Sequence, residues 1–185
     1  KNICKEYDVC IDLVLNHLSD QSKEFQDVLA KGDKSRYYEM FIDIDNSEFK
    51  DISSADKSLI QSRKGKFPFI KVPFKKPLNG DLHTWSTFSN SQIDLNYNST
   101  KTIQLMKDNI ELMSENGINM IRLDAFGYIT KIIGTSCFLV EPEIWDKMQV
   151  IKNIADKHNI DILPEVHDDP SYQTKISEFG FAYSF

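Results

Sequence analysis

The chain has 185 residues, 41% of them hydrophobic and 27% charged, a composition that is typical of a folded domain and excludes a long disordered region. Its 22 Lys and Arg residues against 28 Asp and Glu give a formal net charge of −6. With no basic run, this balance argues against a nucleic-acid or anionic-membrane partner. No apolar stretch approaches the roughly 18 residues that a membrane span needs. The missing initiator Met and the apolar ending FGFAYSF lead us to expect a piece of a longer protein.

The three cysteines, Cys4, Cys10 and Cys137, form no CxxC motif and leave one thiol over in any pairing. Cys10 lies in an apolar run, so we expect buried free thiols, which are typical of proteins in a reducing compartment. No signal peptide is visible, and the cytoplasm is therefore the default expectation for the location.

The chain is predicted to begin with a strand and a helix. The nearly continuous apolar run over 7–15 is typical of a parallel strand that is buried on both faces. Ser22 is placed to cap a helix over 23–29, and Gly32 is placed to end it.

Residues 33–97 change character, because apolar periodicity weakens, aromatic residues stand among charged ones and prolines interrupt the chain. So much irregular chain indicates a functional insertion. Near Ser99 an amphipathic helix begins, which Gly117 ends. The elements expected next are a strand over 118–123, a helix over 142–158 that buries Ile144, Trp145, Met148, Ile151 and Ala155, a strand over 161–166, a short helix over 171–178 and a last strand over 181–185.

This order alternates strands with helices, which predicts right-handed parallel βαβ units and an α/β fold. Two architectures fit the alternation: an open doubly wound sheet and part of a (β/α)8 barrel. No GxGxxG or P-loop motif follows a predicted strand, so the nucleotide-binding folds lack their best signature.

Polar residues gather at the carboxyl ends of the predicted strands, where both architectures place their sites. A carboxylate near the end of three successive strands, each with a cationic or imidazole neighbour, favours a functional site over isolated structural ion pairs. In strand order these residues are Asp12, Asn16 and His17, then Arg122 and Asp124, then Glu165 and His167.

The spacing of two of these residues predicts a mechanism. Asp124 and Glu165 end neighbouring strands about 4.8 Å apart, close to the roughly 5 to 5.5 Å between the carboxyl groups of retaining glycosidases. Arg122 points to the same face as Asp124 and would hold that carboxylate ionised. We therefore expect Asp124 to be the nucleophile and Glu165 the general acid and base.

A metal site is the alternative interpretation, because His17, Glu165, His167 and Asp168 could converge. No HExxH or other tight ligand spacing supports it, and we expect neither a metal nor another cofactor. The aromatic residues of this region are expected to be core, although Trp85 and Phe88 fall where a sugar-binding platform would lie; the set is Trp85, Phe88, Tyr97 and Tyr128.

Four short segments resemble the regions that identify the α-amylase superfamily, glycoside hydrolase family thirteen. They lie in the expected order over nearly the whole chain. The segments are DLVLNH (12–17), QIDLN (92–96), GINMIRLDAF (117–126) and LPEVH (163–167). Between them, the HTWSTFSNSQIDLN stretch and the GTSCF and EPEIW segments are most similar to the sucrose phosphorylases within this superfamily.

The resemblance implies a (β/α)8 barrel, of which the chain would supply about the third to the sixth strand. Its domains would be a barrel segment over 1–17, an inserted domain B over 18–97 and a second barrel segment over 98–185. It implies glucosyl transfer from sucrose to inorganic phosphate through a glucosyl ester of Asp124, with Glu165 as acid, giving α-D-glucose 1-phosphate and fructose. It also implies a cytoplasmic enzyme without a metal cofactor that binds sugar and phosphate but no nucleic acid or membrane, and for which a homodimer is one expected assembly.

The resemblance further implies which residues contact the substrate. His17, Arg122 and His167 match glucose-subsite residues, and Asp12 opens the first of the matching segments. Phe88 and Gln92 match the domain B loop beside that subsite, whereas Tyr128 matches a loop residue near the acceptor. Asn16 matches a calcium ligand of many amylases, although we do not expect calcium here.

Other functions share these motifs. The family's fourth region, with an Asp that stabilises the transition state, would lie beyond Phe185, and the chain alone is expected to be inactive. The alternatives are a sucrose 6′-phosphate or glucosylglycerate phosphorylase, a hydrolytic α-glucosidase of the same superfamily, and a non-catalytic sugar-binding module.

Overall fold

The structure is a computed structural model that describes residues 3–63, 65 and 67–183. Its helices and strands are, in chain order, β1 (Cys10–Val14), β2 (His17–Ser19), α1 (Lys23–Lys31), α2 (Ser54–Leu59), β3 (Phe69–Pro73), β4 (Asp81–Trp85), β5 (Gln92–Asp94), α3 (Thr100–Glu115), β6 (Met120–Asp124), α4 (Glu143–Lys157), β7 (Asp161–Pro164) and α5 (Pro170–Ile176). Short 3-10 turns lie between several of them.

The described residues divide into two compact units. The first unit holds 3–15, 103–127 and 141–183, and the second holds 16–102 and 128–140. The predicted domain boundaries place 128–140 with the second barrel segment, whereas the contacts of these residues lie within the second unit. The assignment of a domain B stays a prediction.

A three-stranded parallel sheet in the order β1–β6–β7 forms the centre of the first unit, as the alternation of strands and helices predicts. In its register Asp12 lies opposite Arg122 and Val14 opposite Asp124. Leu123 lies opposite Pro164, so Asp124 and Glu165 follow at the same edge. The register therefore brings four of the predicted site residues together: Asp12, Arg122, Asp124 and Glu165.

The two faces of this sheet differ in chemistry. Alternation along β1 and β6 buries Leu13, Ile121 and Leu123 on one face. The other face presents Asp12 and Arg122, and it leaves Cys10 exposed as well. The predictions that the first strand is buried on both faces and that Cys10 is a buried thiol are thus wrong, because the charged face of the sheet is open to solvent.

Helices α1, α3, α4 and α5 begin and end within two residues of the predicted bounds, whereas α2 was not predicted. The Ser22 hydroxyl accepts a 3.3 Å hydrogen bond from the Phe25 N–H at the start of α1, and Gly32 ends that helix with a φ of 59°. Helix α3 ends before Gly117, whose φ is 82°. In α4 the buried side chains are the five predicted ones.

The last predicted strand, over 181–185, is not seen in the part that the structure describes. Residues 181–183 have no strand assignment, and 184–185 lie outside the described residues. One 2.9 Å hydrogen bond, from the Phe181 N–H to the Ile162 carbonyl, holds this segment beside β7. The approach at Gly180 is so close that an added Cβ would overlap the Ile162 carbonyl oxygen.

The second unit contains two small antiparallel sheets, β2 with β5 and β3 with β4. Its core includes Ile44, Phe49 and Trp85, so the long irregular stretch of sequence has an apolar centre of its own. Among the residues described in either unit, no helix is both long and apolar enough to cross a membrane.

Candidate active site

Arg122 is the centre of the charged cluster on the first unit's sheet. Its Nη1 lies 2.9 Å from Asp12 Oδ1 and 3.2 Å from Asp124 Oδ1, and its Nη2 donates to Glu165 Oε1. Burial lowers the pKa of Arg122, but hydrogen bonds to Asp12 and Tyr183 and the surrounding carboxylates outweigh that effect and raise it. The guanidinium is therefore a permanent cation between three carboxylates.

Asp124 and Glu165 are hydrogen-bonded to each other, so they share a proton between them. Burial raises the pKa of Asp124, and the hydrogen bond and the charge of Glu165 raise it further. Burial also favours a higher pKa for Glu165, but hydrogen bonds with Asp124 and His167 and the charge of Arg122 lower it overall. The directions of the two pKa shifts favour protonation of Asp124 over protonation of Glu165.

This distribution is the reverse of the electrostatic expectation that Arg122 holds Asp124 ionised. Burial is the largest cause of the raised pKa of Asp124, and the charge of Arg122, whose Nη2 contacts Glu165, favours the ionised form of Glu165.

His167 completes the cluster in the first unit. Its Nε2 lies 3.0 Å from Glu165 Oε1, and its ring lies 5.9 Å from that of Tyr183. The structure thus brings together five residues that the sequence predicts for the site: Asp12, Arg122, Asp124, Glu165 and His167.

His17 and Gln92 are paired in the second unit, where β2 and β5 run side by side. The Ser89 hydroxyl donates to Gln92 Oε1 over 2.7 Å, so the Gln92 amide NH₂ faces His17 Nε2 at 2.8 Å. Burial lowers the pKa of His17 against the opposing charge of Asp94. A neutral His17 whose Nε2 accepts carries its proton on Nδ1, which has no hydrogen-bond partner among the described residues.

Aromatic rings line up beside His17. The ring of Phe88 lies 5.2 Å from His17 and 5.2 Å from Tyr128. Phe88 is half-buried, whereas Trp85 is 1% exposed and belongs to the core of the second unit. The expectation that Trp85 is a core residue is therefore confirmed, whereas Phe88 keeps part of its ring accessible.

Lys131 and Asp94 form a buried ion pair that the sequence analysis did not identify. Their side chains are 4% and 0% exposed, and Nζ lies 3.0 Å from Asp94 Oδ2. Lys131 also donates to Asn16 Oδ1 over 3.0 Å and to the Tyr128 carbonyl over 2.6 Å. The available signal was Asp94 itself, a charge between two apolar residues of the QIDLN segment.

The same contacts test whether calcium fits beside Asn16. Amide, carboxylate and carbonyl oxygens are the ligands that calcium prefers. Here the oxygens of Asn16, Asp94 and Tyr128 all accept from one ammonium group, so they do not fit a divalent cation as well. No group of three His, Cys, Asp or Glu side chains within the described ranges is arranged to hold a metal.

Comparison with known proteins adds a family and several relatives. Residues 4–177 match the family model described as alpha amylase, catalytic domain. A glucosylglycerol phosphorylase of Marinobacter adhaerens is 46% identical over 182 residues, covering 96% of this chain and 37% of the relative. A sucrose phosphorylase of Streptococcus mutans is 35% identical, covering 100% of this chain and 38% of the relative.

A solved structure is similar over the same extent. The crystal structure of sucrose 6F-phosphate phosphorylase from Thermoanaerobacter thermosaccharolyticum matches with a TM-score of 0.90 and 34% identity, covering 97% of this chain and 37% of that one. This chain therefore spans well under half the length of these relatives.

Proposed function

Since the chain belongs to the alpha-amylase catalytic-domain family, we propose that it supplies the catalytic carboxylates of a retaining glucosyl phosphorylase. The observation that carries the proposal is the Asp124–Glu165 pair, hydrogen-bonded together and held by Arg122. A retaining mechanism needs one ionised and one protonated carboxyl group on the two sides of a glycosidic bond, and this pair shares one proton.

In the proposed reaction Asp124 attacks the anomeric carbon of an α-glucoside while Glu165 protonates the leaving oxygen. The glycosidic bond breaks and a glucosyl ester of Asp124 forms. An oxygen of inorganic phosphate then attacks the same carbon, and Glu165 accepts the proton that this oxygen loses. The ester breaks, which releases α-glucose 1-phosphate and restores the carboxylate of Asp124.

The proton must lie on Glu165 when the glycosidic bond breaks, although the pKa shifts favour protonation of Asp124 in the free pair. We expect the substrate to reverse this distribution. A sugar that separates the carboxyl groups removes their hydrogen bond, and the leaving oxygen then gives Glu165 an acceptor for its proton. Asp124 keeps its 3.2 Å contact with Arg122, which favours the ionised nucleophile.

Substrate contacts are proposed for the remaining predicted residues. Phe88 offers a half-buried ring, and His17, whose ring lies 5.2 Å from that of Phe88, is a proposed member of the same subsite. Gln92 fixes the tautomer of His17. The full set of proposed substrate-binding residues is Asp12, His17, Phe88, Gln92, Arg122, Tyr128 and His167.

The leaving group is proposed from the relatives. The glucosylglycerol phosphorylase is 46% identical, against 35% for the sucrose and sucrose 6(F)-phosphate phosphorylases. Glycerol is therefore our first candidate, and fructose, which the sequence analysis favours, is the second. The proposal also includes a cytoplasmic location, a homodimer as one expected assembly, and no binding of nucleic acid.

The test uses the intact enzyme with glucosylglycerol or sucrose, each with and without phosphate. We expect phosphate-dependent glucose 1-phosphate from one of the two, and the preferred donor identifies the leaving group. Free glucose as the main product at high phosphate would indicate a hydrolase and contradict the assignment as a phosphorylase. Binding of these sugars without any turnover would indicate a non-catalytic module.

A further inference from the structure

We propose that Tyr183 is a positioning residue, whose hydroxyl sets the orientation of the Arg122 guanidinium toward the two catalytic carboxyl groups. The inference rests on the proposed function, because it assigns Tyr183 a role in the same retaining site. Tyr183 lies outside the four segments that resemble family motifs, and neither charge nor spacing singles it out in the sequence.

The argument begins with the donors of Arg122. A guanidinium is planar and its N–H groups point in fixed directions. The Nε–H donates to Tyr183 Oη over 3.0 Å. With Nε held, Nη1 faces Asp124 and Nη2 faces Glu165. Without that bond the guanidinium can turn about its stem, and the contacts with the two carboxyl groups change together.

Tyr183 is itself held in place by Gln173. The backbone N–H of Tyr183 donates to Gln173 Oε1 over 3.1 Å, and Gln173 Nε2 donates to the Val166 carbonyl over 2.7 Å. Gln173 is 8% exposed, so both bonds are shielded from water. Val166 directly follows Glu165, and the hydrogen bonds therefore tie Tyr183 to the strand end that carries the proposed acid.

The ring of Tyr183 also packs near His167, at 5.9 Å. His167 contacts Glu165 in turn, so Tyr183 approaches the proposed acid from two sides, through Arg122 and through His167. Replacing the hydroxyl alone separates these routes, because phenylalanine keeps the ring and removes only the acceptor for Arg122.

The variant that tests the inference is Tyr183→Phe in the intact enzyme. Loss of the acceptor loosens Arg122 and weakens its hold on the ionised carboxylate. We expect kcat to fall about tenfold and the acidic limb of the kcat/KM profile to move upward by about half a pH unit. The thermal midpoint should stay within about 2 °C of wild type, since the ring packing is kept.

Tyr172→Phe is the matched control. It removes a hydroxyl from the same unit, but its ring lies 6.3 Å from Trp145, and the described contacts of Arg122 do not include it. We expect a wild-type profile. An unchanged acidic limb in Tyr183→Phe, or an equal movement of the limb in Tyr172→Phe, would overturn the positioning role.

The proposed function is tested separately by the wild-type enzyme. If the wild-type enzyme releases glucose without requiring phosphate, the assignment as a phosphorylase is rejected. The acidic limb of the kcat/KM profile for that hydrolysis still tests the role of Tyr183. As a readout that needs no turnover, carbon NMR of the Glu165 carboxyl should give a higher pKa in Tyr183→Phe than in wild type. The same pKa in both would reject the inference.

Discussion

Asp124 and Glu165 are hydrogen-bonded across two paired strands, and the pKa values of their carboxyl groups move in opposite directions. Neighbouring parallel strands bring the two groups together, but Arg122 and His167 decide how they differ. The pair is thus asymmetric before any substrate binds, in the direction opposite to the one that the proposed reaction requires, so we expect the substrate to reverse it.

The roles of the two carboxyl groups should be distinguishable with substrates whose leaving groups do or do not need protonation by an acid. We expect Asp124→Asn and Glu165→Gln to lower turnover of a natural glucoside at least about 10³-fold. α-Glucosyl fluoride needs no protonation of its leaving group, so Glu165→Gln should still form the glucosyl ester from it, whereas Asp124→Asn should not. Mass spectrometry of the intact enzyme detects the ester.

Asp161→Asn is the control for these variants, because Asp161 is an exposed carboxylate at the opposite end of β7. It should retain near wild-type turnover. Ester formation by Asp124→Asn would contradict its assignment as the nucleophile.

His17 should make the stability of the protein depend on pH. Its folded-state pKa lies below the ordinary value of about 6.5, so protons bind the unfolded chain more readily. The stability that neutral His17 contributes is complete above about pH 6.5 and is lost as the pH falls toward the lower, folded value. Urea unfolding of the intact protein at pH 7.5 and 5.0 should show a smaller loss in free energy of unfolding in His17→Gln than in wild type.

His158→Gln is the control, because His158 lies outside the site, and it should behave as wild type. Equal losses in all three proteins would exclude this role of His17.

The buried ion pair of Lys131 and Asp94 should be costly to break from one side. Lys131→Met leaves the Asp94 carboxylate buried without its cation, and we expect it to lose about 3–5 kcal/mol in free energy of unfolding. The double variant Lys131→Met/Asp94→Asn should recover more than half of that loss. Chemical denaturation of the wild type and of the two variants measures these free energies of unfolding.

Lys175→Met supplies the comparison, because its ion pair with Glu141 is 43% and 46% exposed and should contribute less than about 1 kcal/mol. A Lys131→Met protein no less stable than Lys175→Met would show that the buried pair adds nothing.

Gly180 should tolerate no side chain. A Cβ there would overlap the Ile162 carbonyl oxygen, so Gly180→Ala must displace the segment from β7, and we expect a loss of about 1–3 kcal/mol. At Gly80 no atom lies within 4 Å of an added Cβ, and Gly80→Ala should show only the cost of its φ of 86°, about 1 kcal/mol. The denaturant midpoints of the two variants measure these losses. Equal losses would mean that the segment at Gly180 moves away from β7 without an additional cost.

Local signals in the sequence predicted α1, α3, α4, α5 and the three parallel strands, but neither α2 nor the antiparallel strands β2 to β5. Ser22 and Gly32 bound α1, and apolar periodicity selected the buried face of α4, because caps and periodicity act over one or two turns. Strand alternation was enough to place Asp124 beside Glu165.

Long-range contacts were beyond such signals. The difference in pKa between Asp124 and Glu165 depends on burial and on contacts with Arg122 and His167, and Arg122 in turn contacts Tyr183, 61 positions away. The partners of Lys131 likewise come from three separate segments, at Asn16, Asp94 and Tyr128. The exposure of Cys10 reflects what covers a sheet face rather than the residues beside it in sequence.

Lys131 gives the second unit a cation that cannot dissociate. An ion held by the same oxygens would exchange with solvent and respond to chelators and to the supply of metal, whereas this ammonium is attached to the backbone by its own side chain. Because the ammonium group is covalently attached, dilution does not remove it from its oxygen partners. The contact between β5 and the segment after Tyr128 is therefore made by the chain itself and does not require a bound ion.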